Sequence, residues 1–77
     1  MKGQYDIIIA LDDNDDPVMV EALLDPSAST AVYPAKFKWM YISPTGGIGP
    51  RWYDCTAIDI GPSTFYLDMT YEEAVKL

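Results

Sequence analysis

The sequence predicts a small α+β protein, mainly β: an antiparallel sheet of four to five strands with one or two short helices, in a single domain over residues 1–77. Three observations point there. Short runs rich in isoleucine, valine and aromatics are broken at close intervals by Gly, Pro and Asp clusters, which is the chemistry of strands and turns. Residues 31–43, AVYPAKFKWMYIS, alternate with a period of two: Tyr33, Ala35, Phe37, Trp39 and Tyr41 fall on one face, Pro34, Lys36, Lys38 and Met40 on the other. Thr70 followed by Glu73 is a capping-box spacing, which starts a short C-terminal helix near 70–77.

Taken in order, Tyr5–Leu11 reads as a strand between Gly3 and the cluster Asp12-Asp13-Asn14-Asp15-Asp16. Residues 17–24, PVMVEALL, fit two patterns. Asp16 and Pro17 could open a helix that Asp25-Pro26 would end, but Val18 and Val20 disfavour so short a helix, and strand is the expectation. Pro34 lacks a ladder N–H, so the strand over 31–43 belongs at a sheet edge or carries a bulge. SPTGGIGP, 43–50, reads as a loop. RWYDCTAIDI, 51–60, is the next strand, and 64–69 pairs back across Gly61, Pro62 and Ser63.

Charge sets the functional expectations. Twelve acids against five bases give −7. Such a chain repels nucleic acid and anionic membrane and attracts basic protein surfaces, including those that hold DNA or RNA. The acids are segregated: none lies between Asp25 and Asp54, where Lys36, Lys38 and Arg51 fall. Asp12-x-Asn14-x-Asp16 has the one-three-five spacing of a calcium loop, but Pro17 stands where glycine must turn the chain and Leu23 where a bidentate Glu must sit. The plain alternative is a solvated turn, since Asp and Asn satisfy turn backbones with their own side chains. No metal and no cofactor are expected.

Catalysis is not expected either. There is no histidine, so the His-dependent nucleophile and metal sites are excluded, and TGGIGPRW fits neither phosphate loop. Cys55 has no disulfide partner in the sequence and reads as a small buried apolar residue. The apolar run Ile7–Leu11 is too short for a signal-peptide core or a membrane span, so the expected location is the cytoplasm, that of a host cell if the protein is phage-encoded.

The functional expectation is a non-catalytic acidic binding protein that engages and inhibits a basic, nucleic-acid-binding site on a larger protein. That is how small acidic inhibitors of phage anti-defence, anti-CRISPR or anti-restriction, work by nucleic-acid mimicry; the likeness is one of composition alone. Its binding residues would be Asp12, Asp13, Asp15, Asp16, Glu21, Asp25, Glu72 and Glu73. A second reading makes the chain an assembly subunit or homodimer that uses Trp39, Tyr41, Trp52 and Tyr53, although an aromatic row on one strand face reads first as core. A third is a single-stranded nucleic-acid-binding β module, in which those rings would stack bases beside Lys36, Lys38 and Arg51.

Overall fold

The computed structural model describes residues 2–77. Five antiparallel strands, β1 (Gly3–Leu11), β2 (Pro17–Leu24), β3 (Ser29–Ile42), β4 (Ile48–Ile60) and β5 (Ser63–Leu67), form one sheet in the order β2-β1-β5-β4-β3, and one short helix, α1 (Tyr71–Ala74), follows. The stretch 17–24 is a strand. Its pairing with β1 runs from Gly3 opposite Leu24 to Leu11 opposite Pro17, broken by a bulge at Ile9. The extra residue changes the parity of the strand, and Ile8 and Leu11, three positions apart, are both buried. A 3₁₀ turn at Pro26–Ala28, unforeseen in the sequence, links β2 to β3, with Asp25 at its N-cap accepting from the Ser27 N–H.

The two long hairpins close with one turn design. In each, the first residue's N–H donates to the fifth residue's carbonyl (Asp12 to Asp16 at 2.9 Å, Ser43 to Gly47 at 2.7 Å). The first side chain in turn accepts from the fifth N–H (Asp12 Oδ1, 3.0 Å; Ser43 Oγ, 2.9 Å). The fourth residue takes a positive φ, 91° at Gly46 and 64° at Asp15. This is a type I turn followed by a left-handed residue. Gly61, φ 60°, with Pro62 makes the tighter turn into β5, a glycine at the first central position as a II′ turn requires.

Three sequence boundaries need correction, and the first is the strand expected over 64–69, which runs from Ser63 to Leu67. The loop expected over 43–50 is confined to 43–47, because Ile48, Gly49 and Pro50 are the first rungs of β4, opposite Ile42, Tyr41 and Met40. Pro50 is tolerated there because this stretch of β4 has a partner on one side only. The helix expected near 70–77 spans only 71–74. Its capping box is present in full, but residues 76 and 77 follow with i to i+3 bonds to Glu73 and Ala74, the tighter form in which short helices end. Pro34 lies on an edge strand, as expected, and the bulge of β3 falls at its start, between Ser29 and Ala31.

The buried centre is small and aliphatic: Leu24, Ile58 and Leu67, flanked by Tyr5, Ile7, Val32, Ile60, Phe65 and Met69. Thr56 is buried among them and donates its hydroxyl to the Met69 carbonyl at 2.9 Å. Only residues 56–60 of β4 pair with both β5 and β3. Residues 48–55 pair with 35–42 alone and extend as a two-stranded arm about 26 Å long at 3.3 Å per residue. The molecule accordingly measures 46 × 22 × 20 Å, and its radius of gyration of 13.6 Å exceeds the roughly 11.5 Å of a compact chain this long.

Candidate partner-binding surface

In the Asp12–Asp16 turn, two of the four aspartate side chains, those of Asp12 and Asp15, have structural work. Asp12 Oδ1 accepts from the N–H groups of Asn14 (2.8 Å) and Asp16 (3.0 Å), the local bonding that suits aspartate to turns. Asp15 takes the left-handed conformation and accepts from Arg51 Nη1 at 2.6 Å, while the carbonyl of Asp13 accepts from the same nitrogen at 3.2 Å. Arg51 is held from below as well, its guanidinium carbon 3.6 Å from the centre of the Tyr41 ring. The turn is thereby fastened to β4. The carboxylates of Asp13 and Asp16 are exposed and have no hydrogen-bond or ion-pair partner among the described residues.

A second group of acids begins at Tyr53. The Tyr53 hydroxyl donates to Asp68 Oδ1 at 2.8 Å. That hydrogen bond, then burial, then the charges of Asp68 and Asp16 raise the phenol above its ordinary value. The field of Asp16, from the first third of the chain, and that of Asp68, from the last third, therefore converge on one hydroxyl. Asp68 continues into an open groove of about 380 Å³ that Asp54, Glu73, Thr70, Tyr71 and Met69 also line. Lys36 reaches Asp54 only at 3.9 Å, with both side chains largely in solvent, a pair too exposed and loose to neutralise the groove.

The remaining expected acids divide. Glu21 lies on β2 directly opposite Asp6 of β1, a like-charged cross-strand pair on an exposed surface that is unfavourable to the sheet itself. Glu72 is exposed on α1, whereas Glu73 completes the capping box by accepting from the Thr70 N–H and hydroxyl at 3.3 and 3.0 Å. Asp25 belongs to the 3₁₀ turn, where the Ser27 hydroxyl holds its carboxyl below the usual range, and so serves that turn. Asp6, Asp54 and Asp68 were not among the residues expected at the site. Register with β3 places Asp54 on the face of Lys36, and no local spacing in the sequence signals that Asp68 lines the same groove as Asp54.

The aromatic set is split between two faces, and its reading as core is corrected. Register puts Phe37 opposite Tyr53 and Trp39 opposite Arg51 on one face, and Lys38 opposite Trp52 on the other. None of the expected four is buried: Tyr41 and Tyr53 are half-buried, Trp39 is 36 % and Trp52 55 % exposed. Phe37 stacks beside Trp39 and meets Tyr66 edge-on with centroids 5.4 Å apart. The two lysines do turn away from the Phe37–Tyr41 row, and Lys38 Nζ lies 5.4 Å from the centre of the Trp52 ring. Cys55 is buried, as expected, and burial pushes its thiol up.

Among the described residues no three His, Cys, Asp or Glu side chains are grouped to hold a metal ion, and no helix is long and apolar enough to cross a membrane. The chain is thus a small antiparallel β protein with four of its acids in the β1–β2 turn and three, Asp54, Asp68 and Glu73, in the groove beside α1. No protein-family model, curated protein or solved structure matches it.

Proposed function

We propose that this protein is a non-catalytic acidic binding protein of the cytoplasm that occupies a basic, nucleic-acid-binding site on a larger protein and blocks it, in the manner of phage-type anti-defence inhibitors. The observation that carries this reading is the open groove of about 380 Å³ beside α1, which Asp54, Asp68 and Glu73 line together. Asp13 and Asp16 add exposed carboxylates at the β1–β2 turn, which Arg51 fastens to β4. Carboxylates spaced over strands and turns stand in for a row of phosphates, and a basic groove releases its counterions to them as it does to DNA. Arg51 is locked between Asp15 and Tyr41, and among the described residues it forms no ion pair with Asp13, Asp16 or Asp68.

The test uses the immobilised protein to capture lysate proteins, which are then challenged with duplex DNA and with salt. Captured proteins are expected to elute with either, and the Asp13→Asn, Asp16→Asn, Asp68→Asn triple variant is expected to capture them with a slower on-rate and a flatter salt dependence. Asparagine keeps the shape and the hydrogen bond from Tyr53. Capture that resists DNA and salt, and that the triple variant retains in full, would refute the proposal.

A further inference from the structure

The far end of the β3–β4 arm carries an apolar face that is left exposed among the described residues. Register aligns Ile42 with Ile48, Met40 with Pro50 and Lys38 with Trp52, so these side chains share one face of the ribbon in three consecutive same-face rungs. Ile42 is 68 %, Ile48 67 %, Met40 51 % and Trp52 55 % exposed, and Pro50 is exposed as well. The five together offer on the order of 500 Å² of apolar surface, above what an isolated surface residue needs explained. A two-stranded ribbon in water is marginal, so this face gains stability from being covered.

We infer that the occupant is a second copy of this chain, stacked on the same face about a two-fold axis near the Met40–Pro50 rung. Three features select it. The patch is self-complementary: a two-fold lays the broad Trp52 ring of one copy on the Ile42 and Ile48 side chains of the other, and the reverse. Its area suffices, since two such faces bury about 1,000 Å², where specific interfaces begin. Charge permits it. The acidic turn is fastened through Arg51 to the opposite face of the arm, and among the described residues of the arm the charged side chains on the patch's own face are Lys38 and the Lys36–Asp54 pair. Two molecules of net charge −7 meet there with their Asp12–Asp16 turns on the outer faces. Pro34, Lys36 and Lys38 obstruct the alternative, pairing of one β3 edge with another.

The measurement is molar mass by sedimentation equilibrium across a concentration series, with acrylamide quenching of tryptophan fluorescence at each point. The expected result is a shift from 8.6 kDa toward twice that mass, with quenching that falls as dimer forms because Trp52 becomes covered. Ile42→Lys with Ile48→Lys is expected to leave the circular dichroism unchanged and the protein monomeric, whereas Leu23→Lys on the exposed β2 edge should still dimerise. A wild type that stays monomeric at every concentration overturns the inference. So does a dimer that the isoleucine pair does not weaken, or one whose formation leaves quenching unchanged, and this last readout stands even if the double variant fails to fold. None of these outcomes depends on the acidic tract, so the proposal and the functional reading fail separately.

Discussion

Asp15 sits at the position where the matching turn of the other hairpin has Gly46. A left-handed backbone costs an ordinary side chain about 1–2 kcal/mol and aspartate somewhat less, so its retention there is tied to the Arg51 contact. Asp15→Gly relieves the backbone while losing a partly exposed ion pair, and the two changes should offset to within about 0.5 kcal/mol. Asp15→Ala loses the pair without the relief and should fall about 1–2 kcal/mol below wild type in urea unfolding. Equal losses in the two variants would show that the backbone at this position carries no strain. In the core, Leu67 has no exposed surface, and Leu67→Ala should cost about 3–5 kcal/mol, most of the stability of so small a domain. Thr56→Val leaves the Met69 carbonyl without its donor and should cost about 1–3 kcal/mol at nearly constant volume, read by the same unfolding curve.

The elements differ in how far one neighbour or two support them. Residues 56–60 of β4 are paired on both sides, whereas 48–55 and 35–42 are paired only with each other. Hydrogen exchange at concentrations where the protein is monomeric should therefore find the arm amides exchanging well before those of 56–60, and uniform protection would contradict a separately opening arm. The same distinction explains what was legible in the sequence. Alternation over 31–43 identified β3 and its two faces because a strand's side-chain direction is local, and Thr70 with Glu73 marked the start of α1 for the same reason. Ile48, Gly49 and Pro50 read as loop because their turn-forming types outweighed a strand identity that comes from pairing with β3. The bulge at Ile9 and the bond from Tyr53 to Asp68 depend on tertiary register, and no periodicity in the chain encodes them. Nor did alternation within single strands reveal that Trp52 and Trp39 part company, because that depends on which rung of β3 faces which rung of β4.

At the scale of the whole molecule, charge makes two predictions. A fluorescence titration with single- or double-stranded oligonucleotide at physiological salt should show no measurable binding, since the cations are few and Arg51 is committed within the fold. Micromolar affinity would instead favour base stacking on Trp52 beside Lys38. The second concerns pH. Tyr53, through its bond to Asp68, and Tyr33 and Cys55, chiefly through burial, all hold their protons more tightly in the fold than the ordinary values of 10.0, 10.0 and 9.0. Their folded values lie above the unfolded ones, so their stabilisation is complete below pH 9 and is lost as pH rises through the folded values. Asp25 has the opposite sign: lowered from 3.8, first by the Ser27 side chain, it stabilises above that value and ceases to as pH falls through its folded one. The thermal midpoint should thus form a plateau through neutral pH and decline on both flanks, and a midpoint still rising above pH 10 would contradict the tyrosine assignments.

The shared design of the two hairpin turns makes them interchangeable parts. SPTGG and DDNDD close the same backbone with the same three bonds, one with glycines and the other with four negative charges. A chain with SPTGG at both tips would keep its ladders while its net charge rose from −7 to −3, and one with DDNDD at both would carry a second acidic tip beside the apolar arm. The scaffold therefore leaves electrostatic character at either tip to be set by substitution alone. A lineage under pressure from a changing partner could retune one end of the molecule without renegotiating the fold.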